Sequence, residues 1–92
     1  MPMYELVTTG KFRKDVKQIK KRGLPLSELK KVLEKLVAGE PLEIKYRDHN
    51  LSGNYAGFRE CHIQPDWLLI YMVNADQLIL TAVRTGSHSD VL

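Results

Sequence analysis

The sequence predicts an α+β domain with the order β-α-α-β-β-β, in which a helical hairpin packs on one face of a mainly antiparallel sheet. Three observations carry this. Two stretches near the start repeat apolar residues at helical spacing and are joined by a connection of a few residues. Three strand-like apolar runs fill the second half, separated by turns too short for anything but antiparallel neighbours. At 92 residues, with 43% hydrophobic and 27% charged content, the chain has the size and balance of a single ordinary globular domain spanning 1–92.

The elements follow in order. Residues 3–8 (Met3-Tyr4-Glu5-Leu6-Val7-Thr8) read as a short strand, and the hydroxyl of Thr8 or Thr9 is placed to cap the next helix. Phe12, Val16 and Ile19 form one narrow apolar stripe over 10–22, ended by Gly23. Leu24-Pro25-Leu26-Ser27 makes the turn, with Ser27 as the expected N-cap. Leu29, Val32, Leu33, Leu36 and Val37 then mark a core-facing helix that Gly39 and Pro41 stop. From Glu43 to Gly57 the pattern is irregular, which puts His49 on a loop or a short extended piece. Strands are expected over 58–63, 67–73 and 77–84, linked by Gln64-Pro65-Asp66 and Asn74-Ala75-Asp76, with a short tail beyond. With both helices on one face, the other is expected to be partly open and polar, a place for a nucleic acid to lie.

Charge is concentrated. Lys11, Arg13, Lys14, Lys17, Lys20, Lys21 and Arg22 against Asp15 make residues 11–22 worth +6, so with a net charge of +3 the rest of the chain is 3 − 6 = −3. Such a patch captures polyanions, RNA foremost, through Lys14, Lys17, Lys20 and Lys21; a solvated helix face is the plainer reading. No apolar run approaches a membrane span, no signal-peptide layout opens the chain, and the lone Cys61 fits a reducing compartment, so a cytoplasmic protein with no membrane partner is expected.

His49, His62 and His88 stand in segments that also hold polar or charged groups: Arg47-Asp48-His49, His62-Ile63-Gln64-Pro65-Asp66-Trp67 and Arg84-Thr85-Gly86-Ser87-His88. Imidazole exchanges protons near neutrality, so with Asp66 and Arg84 these residues suit RNA cleavage without a metal or cofactor. In that reaction the ribose 2′-OH attacks phosphorus, a base takes its proton, a cation steadies the phosphorane and an acid protonates the leaving oxygen. Trp67 and Tyr71 offer stacking surfaces for a base, although Trp67 could equally be core. His62 could instead be bonded to Glu60 or backbone, Asp66 could be a turn residue, and His88 could belong to a frayed tail. Cys61 and His62, as strand neighbours, point to opposite faces and make a poor nucleophile pair. A zinc site finds no close pair of ligands in the sequence.

These segments, with the basic first helix, resemble the YafQ branch of the RelE-type toxins of bacterial toxin–antitoxin systems along nearly the whole chain. The resemblance rests on Asp48-His49-x-Leu51-x-Gly53, His62-x-x-Pro65-Asp66-Trp67 and Arg84-x-Gly86-x-His88, in that order. It implies a RelE-like fold and a ribosome-dependent endoribonuclease that cuts mRNA in the decoding site. It also implies a cognate antitoxin that holds the enzyme inactive, with operator DNA reached only through the antitoxin complex. Carried over, His49, His62, Asp66 and His88 match the catalytic set, and Trp67 and Arg84 match positions that support cleavage or mRNA positioning. The roles expected are His88 as general acid, Asp66 as general base, His49 and His62 as phosphate or proton-network groups, and Arg84 as transition-state clamp. Where the family often has an aromatic residue, four positions after the last histidine, this chain has Leu92. The alternative is a non-catalytic RNA- or ribosome-binding regulatory module.

Overall fold

The computed structural model describes residues 3–92. Strand β1 (Glu5–Thr8) is followed by helices α1 (Gly10–Lys21) and α2 (Leu26–Val37), then by β2 (His49–Asn50), β3 (Arg59–Gln64), β4 (Trp67–Asn74), β5 (Ile79–Gly86) and a helical turn α3 (His88–Val91). The strands form one sheet in the order β1-β5-β4-β3-β2. Among the described strands only β1, which pairs with β5, runs parallel to its neighbour.

Alternation along the strands divides the apolar residues between two faces. Cys61, Ile63, Trp67, Leu69, Tyr71, Leu80 and Ala82 meet Phe12, Ile19, Leu29, Val32 and Leu36 of the two helices in the main core. The opposite face is less open than expected. Leu68 and Ile70 are covered there by Val91, with Leu51, Phe58 and Val83 around them, so α3 and the 51–58 segment roof part of it.

Thr9 caps α1, its hydroxyl accepting from Phe12 N at 3.0 Å while donating to Val83 O at 2.7 Å. The start of α2 differs from expectation: the N-cap is Pro25, without a side-chain bond, and Ser27 lies inside the first turn. Leu24 and Leu26 both pack on the core, which draws the helix start back past Ser27. The last strand also shifts, from 77–84 to 79–86, because Leu78 turns the chain with a positive φ of 54° and β5 extends to pair Gly86 with Leu68. Two bulges, at Ile63 in β3 and Val83 in β5, offset the ladders on either side of β4.

Candidate active site

Strand pairing assembles the first half of the site. His49 of β2 lies opposite Glu60 of β3, and His62 is two residues beyond Glu60, so the pleat places all three on the face away from the long helices. Glu60 is only 5% exposed. Its Oε1 sits 3.3 Å from His62 Nε2 and 3.6 Å from His49 Nε2. The other ring nitrogens face carbonyls: His49 Nδ1 is 2.6 Å from Arg47 O and His62 Nδ1 is 3.3 Å from Pro65 O. Each ring thus donates from Nδ1, and its Nε2 is aimed at the shared carboxylate.

A polar lock holds His49 in place. Arg59 donates to Asp48 at 2.9 Å, to Asn50 at 2.6 Å and to Tyr71 Oη at 3.2 Å, and Tyr71 in turn donates to Asp48. Arg47 adopts a left-handed φ of 50°, which turns the chain from a 3-10 turn at Ile44–Tyr46 into β2.

The second half comes from the chain's last residues, which form a built element and not the frayed tail weighed above. Ser87 and Asp90 make a reciprocal capping box at the start of α3. Asp90 also pairs with Arg22 at the end of α1, 2.7 Å away. Gly86 fits beneath this carboxylate: at φ 151° a Cβ there would meet Asp90 at 3.0 Å. The buried Val91 pins the turn to the sheet. Asp66, in the β3–β4 turn, accepts from both the ring Nδ1 (2.8 Å) and the backbone N (3.2 Å) of His88. His62 and His88 ring centroids are 5.8 Å apart, and His49 and His62 centroids 6.4 Å, so the three imidazoles form a row.

Several expected roles change on this geometry. Hydrogen bonds from the side chain and backbone of His88 hold the Asp66 carboxyl below its usual range, which makes it a weaker base than expected and an orienting group for His88. Arg84 is committed: Nε and Nη2 bind Asp15 at 2.7 and 3.1 Å, and Nη2 also reaches Asp90 O at 3.1 Å. It ties β5 to α1 and α3, which leaves only Nη1 without a partner among the described residues. Trp67 is 2% exposed with Nε1 donating to Thr85 Oγ1 at 2.9 Å, and Tyr71 is 1% exposed, so both belong to the core and neither presents a face for stacking. Cys61 faces the core, where burial pushes its thiol up to about 12. Lys14, Lys17, Lys20 and Lys21 are exposed along α1. The weak case for a metal also changes, because folding brings donors of Glu60, His62 and His88 within 4.8 Å of one another, a set suited to an imidazole-seeking ion.

Sequence reasoning paired Glu60 with His62, as the structure does, but missed the keystone role of Asp90 and the second partner of Glu60, His49. The first was signalled by Ser87-x-x-Asp90, a capping-box spacing. The second depends on the pairing of β2 with β3, which a two-residue strand hardly announces.

The small α+β domain thus carries a histidine–carboxylate row on the sheet face away from its long helices, the first of which is basic. The family model of the bacterial toxin of type II toxin–antitoxin systems, YafQ, matches residues 4–92, and the chain belongs to this family. It is 40% identical over 82 residues to the mRNA interferase toxin YafQ of Escherichia coli K12, covering 88% of this chain and 87% of that one. YafQ in the E. coli DinJ–YafQ toxin–antitoxin complex superposes with a TM-score of 0.89 at 34% identity, over 98% of both chains. A metal-bound toxin from Helicobacter pylori gives 0.92 at 43% identity, over 98% of this chain and 100% of that one.

Proposed function

We propose that this protein is an endoribonuclease that cleaves mRNA in the ribosomal decoding site and so inhibits translation. The observation that carries the reading is the row of three imidazoles, anchored by Glu60 at one end and by Asp66 at the other, on the face away from the main core. Family membership and the name of the E. coli relative support it.

In this reading His88, held by Asp66 through Nδ1–H, works at its outward Nε2 as the general acid that protonates the departing 5′ oxygen. The proton of the ribose 2′-OH passes to the opposite group, His49 and His62 with the Glu60 carboxylate between them. Positive charge on these rings steadies the phosphorane oxygens. An ion held by Glu60, His62 and His88 would supply Lewis-acid charge and engage the imidazole lone pairs that proton transfer uses. The exposed lysines of α1 draw the protein to ribosomal RNA. The cognate antitoxin is a small protein that binds this toxin as DinJ binds YafQ, and the toxin reaches operator DNA only within that complex. Among the described residues no helix is long and apolar enough to cross a membrane, and the proposed site of action is the cytoplasm.

The test is end mapping of mRNA on purified arrested ribosomes, with wild type and His88→Ala, with and without a chelator at controlled magnesium. New 5′ ends that depend on His88 and persist under chelation support the reading. Arrest without new ends means a non-catalytic binding module, and loss of cleavage on removing stoichiometric zinc overturns the metal-independent chemistry.

A further inference from the structure

The geometry points to a nucleotide-binding subsite beside the catalytic row, in which Arg47 takes an RNA phosphate; this rests on the endoribonuclease reading above. The row needs a cation for the substrate's phosphates, and Arg84 has its Nε and Nη2 committed to Asp15 and Asp90. Arg59 is likewise occupied by Asp48, Asn50 and Tyr71, and Arg22 by Asp90. Arg47 is different. Its side chain is exposed and has no ion pair or hydrogen bond among the described residues, while its backbone carbonyl holds His49 at 2.6 Å. The same residue therefore fixes one catalytic ring through its backbone and carries a guanidinium without a partner among the described residues.

Arg47 lines a cavity of about 420 Å³ that also takes in Lys45, Tyr46, His62, Gln64 and Glu28. His62 belongs both to the cavity and to the row, so a nucleotide seated here adjoins the reacting phosphate. The volume lies within the ~300–1,000 Å³ of small-molecule sites, enough for one nucleotide. Lys45, held over the Tyr46 ring at 5.2 Å, adds a second positive charge. Glu28 and Gln64, in the same lining, offer acceptors to the amino group of a base. Guanidinium is the side chain best shaped to take two phosphate oxygens at once.

The probe is a fully 2′-O-methylated RNA trinucleotide, which lacks the attacking hydroxyl, titrated onto the intact protein and followed by NMR over a range of salt. Ribosomal cleavage by the same preparations is measured in parallel. The expected result is shifts at Arg47, His62 and Gln64, an affinity roughly tenfold to a hundredfold weaker in Arg47→Ala, and a log–log salt slope flattened by about 0.7. Arg47→Lys, which keeps the charge, should retain the slope with weaker binding. Circular dichroism and the His49 resonances check that each variant keeps the fold. Shifts confined to α1, a folded Arg47→Ala that binds within twofold of wild type, or a wild type that does not bind the trinucleotide each overturn the subsite. Wild-type cleavage on ribosomes would still stand in those cases, whereas its absence defeats the activity itself.

Discussion

Thr85→Val should destabilise the fold out of proportion to the atoms exchanged. Thr85 is 1% exposed, and its Oγ1 accepts from Trp67 Nε1 at 2.9 Å and donates to Leu68 O at 2.7 Å. Valine fills nearly the same space but leaves the indole N–H buried without a partner, which costs about 1–3 kcal/mol. For a chain of this length that is a fall in Tm of roughly 4–20 °C. Trp67→Phe removes the donor instead, leaving Thr85 free to donate to Leu68, and loses indole packing. In the double variant no orphan donor remains, so its loss should be smaller than the sum of the single losses by about 1 kcal/mol or more. Urea denaturation of all four proteins, followed by far-UV circular dichroism, gives the coupling directly. Strictly additive losses, or Thr85→Val within 0.5 kcal/mol of wild type, would mean that Thr85 does not hold the indole.

His88→Ala should lower cleavage on ribosomes by ~100- to 10,000-fold in a folded protein, and a loss within about threefold refutes the proton-transfer role. Asp66→Asn, which keeps an oxygen for His88, should lose less activity than Asp66→Ala; equal losses would restore Asp66 as the base. Arg22 and Ser87 hold the Asp90 carboxyl well below the usual carboxylate range, so its contribution is complete above the unfolded value of about 3.9 and is lost as pH falls below it. Protection factors of the α3 amides, corrected for intrinsic exchange, should therefore fall on acidification below about pH 4 in wild type and fall less in Asp90→Asn; the same acid response in both counts against the latch. Neutralising Lys14, Lys17, Lys20 and Lys21 together should weaken ribosome binding and flatten its salt dependence, and unchanged binding across salt would make α1 an ordinary solvated face.

Much of the architecture was legible because it is written in periodicity. The apolar stripes of α1 and α2 and the closely spaced strands β3, β4 and β5 gave the α+β order, and the alternation in β3 correctly set Cys61 and His62 on opposite faces. Parts of the site were not legible because they depend on partners distant in sequence. Arg84 reads as a free phosphate ligand until α1 brings Asp15 beside it, 69 positions away. Trp67 is ambiguous until Thr85 supplies the one buried oxygen its N–H needs. Sequence spacing made a metal site look remote, whereas strand pairing and the docked α3 bring Glu60, His62 and His88 together.

The parallel pairing of β1 with β5 joins Glu5 to Ile79 and Thr8 to Ala82, so the first strand finds its place only when the penultimate element has formed. Local contacts can raise α1 and α2 early, and the β3–β4 and β4–β5 ladders close through short turns. The β1–β5 ladder must instead recover the entropy of a loop that encloses most of the chain, the kind of contact that slows folding. The same strand order places β5 between β1 and β4, and β5 leads straight into the turn that carries His88. Kinetically, the segment that completes the acid end of the cleft follows the strand shared by the local β4–β5 ladder and the long-range β1–β5 ladder. Refolding experiments should find the β3–β4–β5 meander, with His88 on Asp66, protected before the β1–β5 ladder closes.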